Sequence, residues 1–153
     1  MMFDTVASLL KAKKKSALVS VPPSTTVADT VRTMNNEKVG ATLVMDQQKL
    51  VGIFTERDVL VRVVGAGRDP ATTPVSAVMT AEVRSVEPTT TVDNAMRLMS
   101  DRRYRHLPVL ENGRVQGLVS MGDLTSWIIR SQQEVVDGAI GAVKQMGMAN
   151  RRG

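Results

Sequence analysis

The sequence repeats itself, and the repeat leaves little freedom in the fold. Ser20-Val21-Pro22-Pro23-Ser24-Thr25-Thr26-Val27 lies over Ser85-Val86-Glu87-Pro88-Thr89-Thr90-Thr91-Val92 at an offset of 65 residues. The same offset pairs Arg32 with Arg97, Met34 with Met99, Val44 with Val109, Gly52 with Gly117 and Asp58 with Asp123. No gap is needed, and Thr55 meets Ser120, which keeps the hydroxyl. A single register held across such different residue types marks an internal duplication. A chain of 153 residues then holds two small units that have to share core.

Each copy reads as the same series of elements. Val19 to Val21 is a short apolar strand stopped by prolines. Thr25 or Thr26 caps a helix whose Val27, Val31 and Met34 fall at helical spacing, and Gly40 ends it or follows it closely. Ala41 to Met45 and Leu50 to Phe54 form a hairpin, and a helix runs from Glu56 to about Val64. The second copy predicts a strand over Val83 to Val86 and a helix over Val92 to Arg102. A hairpin follows around Glu111-Asn112-Gly113, and then a helix from Met121. The fold class is α/β (α+β): two tandem β-α-β-β-α units related by a pseudo-two-fold axis, each a small mixed sheet on helices. The expected division is 1–15 N-terminal helix and linker, 16–66 first repeat, 67–80 connector, 81–130 second repeat, and 131–153 C-terminal helix and tail. The connector is expected to turn helical from Pro74, with proline at the first helical position. The tail's Trp127, Ile128, Val135, Val136, Ile140, Val143 and Met146 form a stripe that is either buried or partner-facing.

Composition removes several classes of function. With no cysteine and one histidine, His106, there is no thiol nucleophile, thiolate metal site or multi-histidine metal site. No Ser–His–Asp arrangement is suggested, Gly117 to Gly122 does not match the nucleophile-elbow pattern, and no catalytic residue, metal or required cofactor is expected. Twenty basic against fifteen acidic residues give a net charge of +5, which favours anionic partners in general. Four aromatics are too few for a base-stacking platform, so nucleic acid is not the expected partner. Lys11 to Lys15 reads as a solvated helix end, and the methionines as core filler. No apolar run is long enough to span a membrane and the N-terminus lacks signal-peptide order, which places the protein in the cytoplasm as an expectation.

The sharpest local signal is a pair of segments, Gly52-Ile53-Phe54-Thr55-Glu56-Arg57-Asp58 and Gly117-Leu118-Val119-Ser120-Met121-Gly122-Asp123. A hydroxyl followed three residues later by a carboxylate at a helix start can simply cap the helix. The same pattern can also serve a nucleotide, with phosphate near free N–H groups and a carboxylate accepting from ribose hydroxyls. With the paired Pro-x-Thr-Thr-Val segments, the helix methionines and Arg105-His106-Leu107-Pro108-Val109, the chain resembles the CBS domain family over roughly residues 5 to 130.

The resemblance implies a tandem pair, or Bateman module, that binds adenosyl ligands between the copies and commonly dimerises. By that resemblance a primary cleft comprises Ser20, Val21, Val39, Gly40, Ala41, Arg105, His106, Ser120 and Asp123, and a secondary one Thr55, Asp58, Ser85, Val86, Arg103 and Tyr104. The aspartates correspond to ribose contacts, and Arg105 and His106 to phosphate contacts. The offset puts Gly40 and Ala41 at those two places in the first copy, so the Asp58 cleft is expected to borrow charge from Lys38, Arg84 or Arg103. The expected function is a non-catalytic sensor of an adenine nucleotide, with AMP or ATP favoured over NAD-type ligands or S-adenosylmethionine. It would act on an unidentified regulated protein and form a homodimer through Val59, Leu60, Val63, Leu124 and Ile128. The alternatives are a ligand-free adaptor and a basic nucleic-acid-associated protein.

Overall fold

The computed structural model describes residues 4–13 and 18–149; Phe3, Lys14, Lys15, Arg151 and Arg152 lie outside them. The first repeat contains β1 (Ser20–Val21), α2 (Val27–Glu37), β2 (Ala41–Asp46) and β3 (Lys49–Thr55), after an N-terminal α1 (Val6–Ala12). Its sheet has the order β1-β2-β3, with β1 parallel to β2 and β2 antiparallel to β3. The second repeat contains α4 (Val92–Arg102), β4 (His106–Glu111) and β5 (Arg114–Ser120). Between them lie a short α3 (Glu56–Asp58), a π-helical stretch (Val59–Val64) and a 3-10 turn (Val75–Ala77), and α5 (Met121–Ala149) is the last element of the described residues.

The duplication holds down to local chemistry. Thr26 caps α2 by accepting from the Asp29 N–H, and Thr91 caps α4 by accepting from the Asn94 N–H. Both hairpins shift register at the same place, between Val44 and Met45 and between Val109 and Leu110. Met34 and Met99 are buried, each in its own core, as their helical spacing predicts.

Each repeat is completed by the segment that precedes the other. Val6 and Leu9 of α1 enter the second core beside Val92, Met99 and Leu124. The Val6 N–H donates to the Thr90 carbonyl at 2.8 Å, and the Val92 N–H to the Asp4 carbonyl at 2.8 Å. The connector does the same for the first repeat: Val75 and Val78 enter its core, and the Val75 N–H donates to the Thr25 carbonyl at 2.7 Å. The duplicated glycines make this close approach possible. A Cβ on Gly52 would stand 2.4 Å from Met79 Sδ, and one on Gly117 2.7 Å from Leu10 Cδ2. Residues 4–13 thus belong structurally to the second repeat, although they adjoin the first in sequence.

Several sequence expectations change. Val83 to Val86 is not a strand; only Val86 bridges to Val109, so the second sheet has two strands. Arg84 and Ser85 are exposed and Pro88 follows closely, which leaves one residue to pair. The helix from Glu56 widens to π geometry after Asp58, with the Gly65 N–H donating to the Leu60 carbonyl. That winding turns Val63 inward and leaves Leu60, Val61 and Val64 outside. Val63 and Leu124 are therefore core residues, not the dimerisation surface expected of them. Of the two readings for Gly40 the second holds: Lys38 closes α2 at φ 55° with Gly40 following closely, and the counterpart Arg103 closes α4 at φ 56°. Pro74 sits at the cap of the 3-10 turn rather than inside it.

Candidate functional site

Residues of both repeats line a pair of open cavities, of about 1210 Å³ and about 660 Å³. Their linings correspond at the offset of 65. The larger takes Val83, Arg84 and Arg103 to His106 from the second repeat, and Ile53, Thr55 and Asp58 from the first. The smaller takes Leu18, Val19 and Lys38 to Ala41 from the first repeat, and Leu118, Ser120 and Asp123 from the second. Each cavity thus combines the helix end of one copy with the carboxylate of the other. Gly40, His106 and Ser120 reach both.

Both hydroxyl–carboxylate pairs are capping boxes. Asp58 Oδ2 accepts from the Thr55 N–H at 3.0 Å, and the Asp58 N–H returns to Thr55 Oγ1 at 3.3 Å. Asp123 Oδ2 accepts from the Ser120 N–H at 2.9 Å, and the Asp123 N–H returns to Ser120 Oγ at 3.0 Å. In each case the structural role uses Oδ2. Asp58 is 7 % exposed, and its Oδ1 lies 3.6 Å from Arg62 Nε. Arg62 is anchored in turn by donating to the Met79 carbonyl at 2.8 Å.

Asp123 has a partner that the sequence reading missed. Lys13 Nζ donates to Asp123 Oδ2 at 2.9 Å and to the Leu118 carbonyl at 2.9 Å. Lys13 is therefore not part of a solvated helix end. The packing of α1 on the second repeat carries it into the smaller cavity. Burial pushes the Asp123 carboxyl up, but the Lys13 hydrogen bond and charge and the Ser120 bonds outweigh it and hold it below its ordinary value. His106 is lowered, first by burial, with Arg105 and Lys13 adding to the effect against Asp123 and Glu56.

The expected site residues regroup. Val39, Gly40, Ala41, His106, Ser120 and Asp123 come together, but Arg105 does not join them; it lines the cavity of Asp58. The physical reason is docking. Arg105 corresponds to Gly40, and each cavity pairs the helix end of one repeat with the aspartate of the other. Thr55, Asp58, Arg103 and Tyr104 do share the larger cavity. Ser20, Val21, Ser85 and Val86 line neither; Leu18, Val19, Val83 and Arg84, just before them, do.

The consequence is a marked asymmetry of charge. Arg57, Arg62, Arg84, Arg103 and Arg105 line the larger cavity, against Glu56, Asp58 and Glu82. Lys13 and Lys38 line the smaller, against Glu37 and Asp123. The larger cavity is the one suited to an anion. Ile53, Val83 and Tyr104 give it an apolar wall as well. Among the described residues no cluster of three potential metal ligands is present, and no helix is long and apolar enough to cross a membrane.

The CBS domain model matches twice, over residues 14–65 and 75–130. The chain belongs to the CBS domain family. It is a CBS-domain pair, a kind of module that is generally regulatory. It is 38 % identical over 138 residues to the mitochondrial CBS domain-containing protein CBSX3 of Arabidopsis thaliana, covering 85 % of this chain and 67 % of that one. It is 34 % identical over 117 residues to the CBS domain-containing protein YhcV of Bacillus subtilis, covering 76 % and 83 %. The solved structure of a protein with CBS domains from Burkholderia ambifaria superposes with a TM-score of 0.81 at 42 % identity, covering 84 % of this chain and 96 % of that one.

Proposed function

We propose that the protein is a non-catalytic sensor that binds a phosphorylated adenosyl ligand, AMP or ATP, in the larger cavity and passes its occupancy to a regulated partner. The observation that carries this reading is the joining, in one cavity of about 1210 Å³, of a buried carboxylate with five arginines and an apolar wall. Small-molecule sites usually span about 300–1,000 Å³, so a nucleotide fits with room for water. Asp58 Oδ1 suits ribose hydroxyls, and Tyr104, Ile53 and Val83 suit a base. Arg105 and Arg103 offer planar forks matched to phosphate oxygens. This exchanges the rank of the two clefts relative to the sequence expectation, because Arg105 goes with Asp58.

The lining residues come from both repeats, so a bound nucleotide bridges them. Bridging favours whichever relative angle of the repeats lets both halves reach the ligand. The size of that bias equals the ligand's differential affinity for the two arrangements. Titration calorimetry with AMP, ATP, NAD and S-adenosylmethionine tests the reading. Saturable binding of AMP or ATP, weakened by salt, supports it. Failure of all four to bind at millimolar concentration sinks it and favours the adaptor alternative.

A further inference from the structure

Among the described residues, the C-terminal half of α5 has no packing partner. Only its start packs on the body: Leu124 is buried, and Met121, Trp127 and Ile128 are partly buried. From Ile129 to Ala149 every residue is exposed except Ser131 and Gly141. This segment is poorly suited to stand alone in water. It carries Gly138, Gly141 and Gly147, each costing about 1 kcal/mol relative to alanine in a helix, and several β-branched residues. Most helical stability in proteins comes from packing an apolar face rather than from propensity, and among the described residues this segment packs on nothing.

Its side chains follow a heptad. Ile129, Val136 and Val143 recur every seven residues, with Gln132, Ala139 and Met146 between them at the complementary positions. Val135 and Ile140 flank this seam. The charged residues of the segment, Arg130, Glu134, Asp137 and Lys144, all fall on the opposite face. The seam and its flanks therefore carry no charge that could select an oppositely charged partner. They are self-complementary, and Ile129, Val136 and Val143 are the β-branched residues found at the first core position of two-stranded parallel pairs, with Gln132, Ala139 and Met146 in place of leucine at the second. The single polar core residue, Gln132, is suited to pair with its own copy and so to set the register. A membrane surface fits less well, because helices that bind it usually carry a basic polar face, and here two basic residues meet two acidic ones.

We propose that residues 129–149 of α5 form a parallel, in-register helix pair with the same segment of a second copy of this chain. The pair would stand clear of both cavities and hold two copies of the body side by side.

The absence of cysteine from the chain makes the test clean. Ile129→Cys and Val143→Cys should each give a species of twice the chain mass on mild oxidation, and this species should collapse on reduction. Arg130→Cys and Lys144→Cys, on the outer face, should cross-link at least tenfold more slowly. All four positions are exposed in the single chain, so none should disturb the core, and circular dichroism verifies that. Equal rates at all four positions would overturn the proposal. So would cross-linking at 143 without 129, which would mean another register or direction. Loss of cross-linking when lipid vesicles are added, with the protein floating with them, would overturn it in favour of a membrane. As a second readout, Val136→Glu should open the segment to tryptic cleavage at Arg130 and Lys144; unchanged resistance would contradict a pair.

Discussion

Replacing Lys13 by methionine removes a charge while keeping most of the chain length, and it isolates the link between α1 and the second repeat. The ammonium group makes two bonds of 2.9 Å, to the Leu118 carbonyl and to Asp123 Oδ2. A charge-assisted hydrogen bond contributes about 1.5–3 kcal/mol, whereas a solvent-exposed ion pair contributes about 0–1 kcal/mol. The side chains of Lys13 and Asp123 are 33 % and 24 % exposed, so this pair falls between those limits. A loss of about 1–2 kcal/mol follows from that position. For a chain of this size it lowers the melting temperature by about 2–8 °C. The sign of the pH dependence is set by Asp123, whose carboxyl is held below its ordinary value. The pair's stabilisation is present above the ordinary carboxylate range and is lost as pH falls through the folded-state value. Thermal melts of the wild type, Lys13→Met, Asp123→Asn and the double variant close a thermodynamic cycle. A coupling of about 1 kcal/mol at neutral pH, shrinking towards pH 3, is the expected result. Strict additivity, or a deficit unchanged on acidification, would refute the assignment of Lys13 as the partner of Asp123.

Three further outcomes follow from other parts of the structure. Gly52→Ala should cost about 1–3 kcal/mol and more than Gly117→Ala, because its new Cβ meets the Thr80 backbone carbonyl at 3.1 Å as well as Met79, whereas Gly117 faces only the end of Leu10; chemical denaturation of both variants compares them. Arg103→Gly should stabilise the fold by about 0.5–1 kcal/mol, by relieving a left-handed residue at φ 56°, while weakening nucleotide binding; a variant that is both less stable and binds normally would contradict this. His106, lowered chiefly by burial, binds protons less readily in the folded state than in the unfolded chain. Stability should therefore be full above about pH 6.5 and fall as pH drops through that value, and His106→Gln should flatten the profile between pH 5 and 7.

The duplication carried most of the fold. One offset predicted paired caps, at Thr25 or Thr26 in the first copy, and the two buried methionines, and it also orders the linings of the two cavities. What escaped was information held in the docking of the repeats. Lys13 lies 110 residues from Asp123 in sequence, and no local pattern joins them. Which aspartate Arg105 faces depends on which repeat's helix end meets which carboxylate, and that is a tertiary fact. Val83 to Val86 has strand-like residues but only one neighbour to pair with. One signal was read only as a source of charge. Lys38 and Arg103 are both basic at equivalent positions, and both close a helix in the left-handed region at the mouth of a cavity. Strained backbone of that kind concentrates at functional sites.

The central claim is that the cavity of Asp58, with its arginines, takes the phosphorylated ligand. Arg105 is exposed and makes no side-chain bond among the described residues, so Arg105→Ala removes cavity charge with little structural cost. Calorimetric titration of ATP into Arg105→Ala and Lys13→Met, side by side, tests the claim most directly. Losing one charge-assisted contact of about 1.5–3 kcal/mol should weaken binding by about ten- to a hundredfold in Arg105→Ala and leave Lys13→Met within about threefold of wild type. The reverse order, with Lys13→Met crippled and Arg105→Ala unaffected, would place the ligand in the Asp123 cavity and contradict the account.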